Sequence, residues 1–239
     1  MASLLVVGVT ARLGFWQLSR AAEKQAWQTA MTTQRALPVV NLSEQGLQNW
    51  GQTQWLHRRV IARGTWLPQF NVFLDNRQMD GRVGFFLLTP LQLENTPQAV
   101  WVQRGWLPRN FQERDQLPAI ATPSGVVSLT ARVALAPSKL LELGAPAPSK
   151  GFAHLRQNLD EAALQRETGL NLLSGSLVQL SAESQEGVEA PPDDGLLRHW
   201  FEPGADMAKH QGYALQWFGM SVLAAAGFLW FAFFKVGRS

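Results

Sequence analysis

GYALQWFGMSVLAAAGFLWFAFF, from Gly212 to Phe234, runs for 23 residues without a charge. A helix rising ~1.5 Å per residue makes this stretch roughly 34 Å long, enough to cross a hydrocarbon core of about 30 Å. Lys209 and His210 flank one end, Lys235 and Arg238 the other, and Tyr213, Trp217 and Trp230 sit where interfacial aromatics belong. The stretch therefore predicts a membrane-spanning helix. At about 100° per residue, His210, Tyr213, Trp217, Ser221, Ala224 and Phe228 fall within about 80° of one another. One face then carries the imidazole, the phenol and an indole together.

The beginning of the chain is also apolar but shorter. Met1 to Val9 is interrupted by Arg12, and the apolar pattern resumes from Gly14 to Leu18, well below the ~20 residues a span needs. A signal peptide, a buried helix and the back half of a transmembrane helix beginning upstream of Met1 are the competing readings. A signal peptide places its basic residues first, whereas Arg12, Arg20 and Lys24 come late. The truncated transmembrane helix is favoured. No Gly or Pro interrupts the pattern between Trp16 and Pro38, so this helix is expected to continue beyond the membrane.

Between these ends the signals turn from helical to extended. Strands are expected through Arg58 to Leu67, Asn71 to Arg77, Val83 to Leu93, Ala99 to Trp106, Val126 to Leu135 and Leu177 to Ser181. Asp80-Gly81 is a hairpin signal, and Pro90 suggests an edge or a bulge. A helix is expected over Leu155 to Thr168, with Gly169 as its stop. Ala136 to Lys150 and Ala182 to Gly195 read as surface loops. The fold class is an α+β membrane protein, in which two transmembrane helices flank an antiparallel, β-rich sheet or small barrel. The expected divisions are residues 1–36, 37–205 and 206–239.

Composition excludes several chemistries. Cysteine is absent, which removes disulfides, thiolate nucleophiles and Cys-based copper or zinc sites. The net charge of +3 is scattered without a basic block, so nucleic acid is not an expected partner. No GxSxG elbow, HExxH pair or phosphate-binding glycine loop is present, so no enzyme is predicted. His210 admits two readings, a metal or heme ligand offered at the membrane surface and a polar residue that ends the span. Trp16, Arg20 and Lys24 follow one another at i, i+4 and i+8, where cations beside an indole can meet lipid phosphates or heme propionates. Arg77, Gly81 and Gly84-Phe85, and Arg104-Gly105-Trp106 with Pro108, suit structural roles at strand ends.

A set of ordered motifs spans nearly the whole chain. They are Leu13-Gly14-Phe15-Trp16-Gln17-Leu18-Ser19-Arg20 with Lys24, Gly64-Thr65-Trp66, Asn76-Arg77 with Gly81 and Gly84-Phe85, Leu88-Thr89-Pro90-Leu91, Arg104-Gly105-Trp106 with Pro108, and His210 with Tyr213-Ala214 and Gln216-Trp217-Phe218. In this order they resemble the surfeit locus protein one family, assembly factors of heme-copper cytochrome c oxidase. The chain departs from the family at Gln103, where Asn is usual. The resemblance implies an inner-membrane protein with two membrane helices and an extracytoplasmic central domain, outside the bacterial cytoplasm or in the mitochondrial intermembrane space; with no Arg-rich presequence, the bacterial inner membrane and a periplasmic domain are the simpler expectation. It implies heme a as the bound cofactor, with His210 as iron ligand and Trp16, Arg20, Tyr213 and Trp217 lining the heme or the oxidase interface.

The expected activity is that of a non-catalytic chaperone which binds heme a and assists its insertion into the catalytic subunit of cytochrome c oxidase. That subunit and membrane lipids are the expected partners, with heme a synthase as a further candidate. One rival is a cofactor-free scaffold that stabilises the nascent oxidase subunit. Another is a membrane-anchored sensor, which the short tail Lys235 to Ser239 disfavours. The basic residues leave orientation divided, since Lys235 and Arg238 favour an inside C-terminus while Arg20 and Lys24 oppose it.

Overall fold

The computed structural model describes residues 2–42, 50, 53–110, 117–141, 151–181, 194–200 and 207–235. The chain divides into two compact units, Met1–Thr32 with Glu202–Ser239, and Thr33–Phe201. Helix α1 spans Ala2–Ala36 without a break and ends beside Leu37-Pro38, where proline disfavours helix in the residue before it. The strands are β1 Val40–Asn41, β2 Arg59–Trp66, β3 Val72–Met79, β4 Arg82–Leu93, β5 Gln98–Pro108, β6 Val126–Ala134, β7 Leu155–Arg156 and β8 Asn171–Gln179. Helix α2 is Glu161–Thr168, between β7 and β8, and α3 is Met207–Trp230, continued by a π-helical turn Phe231–Lys235.

Five of these strands close a ring. β2 pairs with β6, β6 with β8, β8 with β5, β5 with β4, and β4 returns to β2 through Gly64–Leu93, Thr65–Gln92 and Trp66–Leu91. This is a small Greek-key barrel of the kind OB-folds use. The expectation of a purely antiparallel sheet is corrected by the parallel pair β5–β8. An odd ring cannot alternate strand directions all the way round, so closure of five strands demands at least one parallel pair. Two more parallel pairs, β1 with β2 and β3 with β7, cap the edges.

Alternation fills the barrel. In β2 the residues Val60, Ala62, Gly64 and Trp66 are buried while Arg63 and Thr65 are exposed, a period of two. They meet Leu91, Leu93, Val100, Val102, Leu129, Ala131, Val133, Leu173 and Leu177 in one core. Gly64 lies where β2 crosses β4, and a Cβ there would stand 2.2 Å from the Gln92 carbonyl oxygen. No side chain fits. β4 and β5 bury both faces, because Leu88 and Trp101 also join Val72, Leu74, Leu159 and Leu164 in a second core outside the barrel.

Turn chemistry explains several boundaries. Asp80 and Gly81 both take positive φ, 51° and 74°, as a type I′ hairpin turn requires, and Met79 pairs with Arg82 around them. Pro90 is buried inside β4, opposite Trp101; of the edge or bulge expected, the edge is not found, and a register shift between β4 and β5 lies just before it, at Leu87 and Leu88. It sits where β4 exchanges β3 for β2, and its carbonyl accepts from Leu67 N at 3.0 Å, just past the end of β2. The missing N–H therefore falls beyond that ladder. The helix expected from Leu155 starts at Glu161 instead, because Leu155–Arg156 pair with Phe73–Leu74. Asp160 caps it by accepting from Ala163 N at 3.0 Å, and Gly169, at φ 67°, ends it as expected. The expected loops fall in part outside the described residues, at 142–150 and 182–193.

Candidate functional site

The segment Lys209–Phe233 is long and apolar enough to cross a membrane. The less exposed residues of α3 after His210 include the row Ala214, Trp217, Ser221, Ala224 and Phe228, and those of α1 include the row Ser3, Val7, Thr10, Gly14, Gln17 and Ala21. Both sets advance by alternating steps of three and four, the spacing of a seam between paired helices. Most seam positions on α1 are small, which lets backbones approach. The helices run antiparallel: Ser221 Oγ donates to the Val7 carbonyl at 3.2 Å, the Phe218 ring meets Phe15 edge-on at 5.2 Å, and His210 meets Gln17.

His210 stands at one end of this seam, half-buried. Its Nδ1 lies 2.7 Å from Gln17 Oε1. Its Nε2 has no protein partner among the described residues, so one nitrogen donor is available at the end of the α1–α3 pair. Trp217 lies two turns further along α3 on the same seam and is partly buried. Tyr213, expected on that face, is 52% exposed, because the seam is narrower than the sector drawn from the sequence. Trp16 and Arg20 point outward from α1; the Arg20 guanidinium sits 5.8 Å from the Trp16 ring centre and pairs with Glu23 at 2.7 Å. The structure thus joins His210 to the seam with Trp217 and leaves Tyr213, Trp16 and Arg20 as an exposed surround.

An imidazole nitrogen without a protein partner among the described residues, on a ring held by a second helix, is a group that could ligate heme iron. The other three histidines belong to the barrel unit and are engaged there. His57 Nδ1 faces Arg132 at 3.3 Å, His154 Nδ1 faces the Asn71 carbonyl at 2.8 Å, and His199 Nδ1 faces Asp80 at 2.7 Å. Gln17 is the residue that sequence reasoning passed over. Its signal was an amide inside the apolar half of a helix.

The remaining motifs build the barrel unit. Arg104 is 1% exposed, and its guanidinium lies 4.9 Å from the Trp66 ring centre. It pairs with Asp194 at 3.3 Å and donates to Thr122 Oγ1 at 2.8 Å, while Asp194 also holds Arg198 at 2.6 Å. Burial pushes the Arg104 guanidinium down, and Asp194 opposes that shift. Beside it, a Cβ on Gly105 would stand 2.6 Å from Leu196 Cβ and 3.0 Å from the Leu197 carbonyl oxygen. Glycine there admits the antiparallel bridge between Trp106 and Leu197. Arg77 is likewise buried, donating to the carbonyls of Ser138 and Gln157 at 2.8 Å each, and its own carbonyl accepts from Trp106 Nε1 at 2.9 Å. These motifs are fasteners, as their place at strand ends suggested. A cavity of about 400 Å³ lined by Gln34, Leu37, Val40, Gln54, Trp55 and Arg58 brings no convergent acid, base or nucleophile.

Comparison with known proteins supplies the relationship. A SURF1-like protein of Rickettsia felis is 27% identical over 223 residues, covering 92% of this chain and 90% of its own. A SURF1-like protein of Mycobacterium bovis is 28% identical over 227 residues, covering 92% and 77%. The cytochrome oxidase assembly protein SHY1 of Saccharomyces cerevisiae is 30% identical over 95 residues, 40% of this chain and 24% of its own. The model of the SURF1 family matches residues 4–222, which takes in α1, the whole barrel unit and most of α3, so the chain belongs to the SURF1 family.

Proposed function

We propose that this protein is a membrane-anchored assembly factor of cytochrome oxidase that holds heme a as cargo and releases it to the catalytic subunit. Family membership, with a yeast relative that is a cytochrome oxidase assembly protein, supports the assembly role. The observation that carries the cargo reading is the Nε2 of His210, without a protein partner among the described residues, at the entrance of the apolar helix α3. In this reading α1 and α3 both span a bacterial inner membrane, with the barrel on the periplasmic side. His210 ligates the iron, Trp217 and Tyr213 cover the macrocycle, and Trp16 and Arg20 meet the propionates or the oxidase. The chain performs no catalysis. A single imidazole suits delivery, since a site meant to surrender its cargo needs moderate affinity.

The test is optical. The detergent-solubilised protein is purified with heme a present and compared with His210→Ala. The expected result is loss of the ligated spectrum and of stoichiometric heme in the variant. Equal spectra and stoichiometry would remove His210 from the role. Copurification of oxidase without heme would favour the scaffold reading.

A further inference from the structure

The contact that α1 makes with His210 has a direction. Gln17 Oε1, not the amide nitrogen, stands 2.7 Å from Nδ1. A carbonyl oxygen only accepts, so the proton between them belongs to Nδ1. A neutral imidazole with its proton on Nδ1 keeps its lone pair on Nε2, and Nε2 is the nitrogen without a protein partner among the described residues. Neutral histidine in water prefers the opposite tautomer, so the protein has to impose this one. An apolar helix pair is a suitable place to do so, because a hydrogen bond shielded from water is stronger and its loss leaves a polar group unpaired.

We propose that Gln17 is a positioning residue: it fixes His210 in the Nδ1–H tautomer, locks the ring against α1, and presents the Nε2 lone pair outward as the ligand. The tautomer rests on the orientation of the Gln17 amide, with its oxygen and not its nitrogen toward Nδ1, and the ligand role rests on the cargo reading above. Histidine ligands usually donate their second N–H to an acceptor that orients the ring and raises its basicity, and removal of that acceptor typically lowers metal affinity about 10–100-fold. Here the acceptor comes from a different helix than the ligand. Site assembly therefore depends on α1 and α3 being paired, and a change in their pairing would alter both the tautomer and the hold on the iron.

The test has two arms. In the first, the heme-free full-length protein is labelled with 15N-histidine, reconstituted in detergent micelles at pH 8, and the His210 ring nitrogens are assigned by their loss in His210→Ala. The wild type is expected to show a protonated Nδ1 and an unprotonated Nε2. Gln17→Glu retains that pattern, and Gln17→Leu loses it. A wild-type protein with its proton on Nε2, or a Gln17→Leu variant with an unchanged pattern, overturns the proposal. In the second arm heme a is titrated into the same proteins. Gln17→Leu is expected to bind about 10–100-fold more weakly. Gln17→Glu restores binding and moves the heme midpoint potential lower, because a stronger acceptor makes the imidazole a stronger donor. Correct tautomers with no heme uptake by the wild type would refute the cargo reading and leave the tautomer assignment standing.

Discussion

At the scale of single residues, the buried charges of the barrel unit give the sharpest expectations. Asp194 is the shared carboxylate between Arg104 and Arg198, and the Arg104 side chain is only 2% exposed. Asp194→Ala leaves a buried guanidinium without its counter-ion, which typically costs about 3–5 kcal/mol, whereas Arg104→Met removes the buried charge and should cost clearly less. Urea midpoints of the two variants check the order, and equal losses would show that packing over Trp66 matters more than charge. His57 carries a different prediction. It is buried at a positive φ of 69°, and its pKa is lowered by burial first and then by Arg132 and Arg35. A histidine whose folded pKa lies below its unfolded value binds fewer protons when folded. Stability is therefore retained above about pH 6.5, the ordinary value, and lost as pH falls from there through the folded pKa. His57→Asn tolerates the same backbone region and does not titrate, so it should flatten the dependence of stability on pH across this window. An unchanged slope would assign the acid sensitivity to other groups.

At the scale of elements, the helix seam decides whether the His210 site forms. Ala214 is 2% exposed and lies one turn beyond His210 on the same face. A large side chain there forces α1 and α3 apart, and overpacking of this kind typically costs about 1–3 kcal/mol. Ala214→Phe should weaken heme a uptake while leaving the barrel unit's urea midpoint unchanged; Leu215→Phe, at a position 75% exposed, should do neither. Equal uptake by both variants would show that seam packing does not govern the site. The same seam marks the limit of what was legible in the sequence. α3 announced itself by length and lack of charge, and rotation alone grouped His210, Tyr213, Trp217, Ser221, Ala224 and Phe228, of which Tyr213 lies off the seam. Its partner face could not, because Ser3, Thr10, Gly14 and Gln17 look like defects in an apolar span until another helix explains them. Strands were readable where Gly, Pro and alternating residues punctuated them, and the Asp80-Gly81 turn was readable outright. The start of α2 was not, since Leu155 and Leu159 fit a helical period but answer to β3 and the second core.

At the scale of the whole molecule, the division of labour follows from where apolar side chains are buried. All three core clusters of the barrel unit draw on residues between Val40 and Leu196, and none includes a residue of α1 or α3. Ring closure, invisible to any local pattern, gives the unit its integrity: β4 is long enough to pair first with β3 and then with β2, so sheet and barrel share one strand. A unit with its own cores should fold by itself. The fragment Thr33–Phe201, the boundaries of that unit, is therefore expected to be soluble without detergent and to unfold in one cooperative urea transition. It should take up no heme a under conditions in which the full chain does, because His210 and Gln17 both lie outside it. A fragment that unfolds without cooperativity would mean that the helices complete the barrel. A fragment that folds and still binds heme a would move the cargo site away from His210 and into the barrel, where His57, His154 and His199 would become the residues to replace.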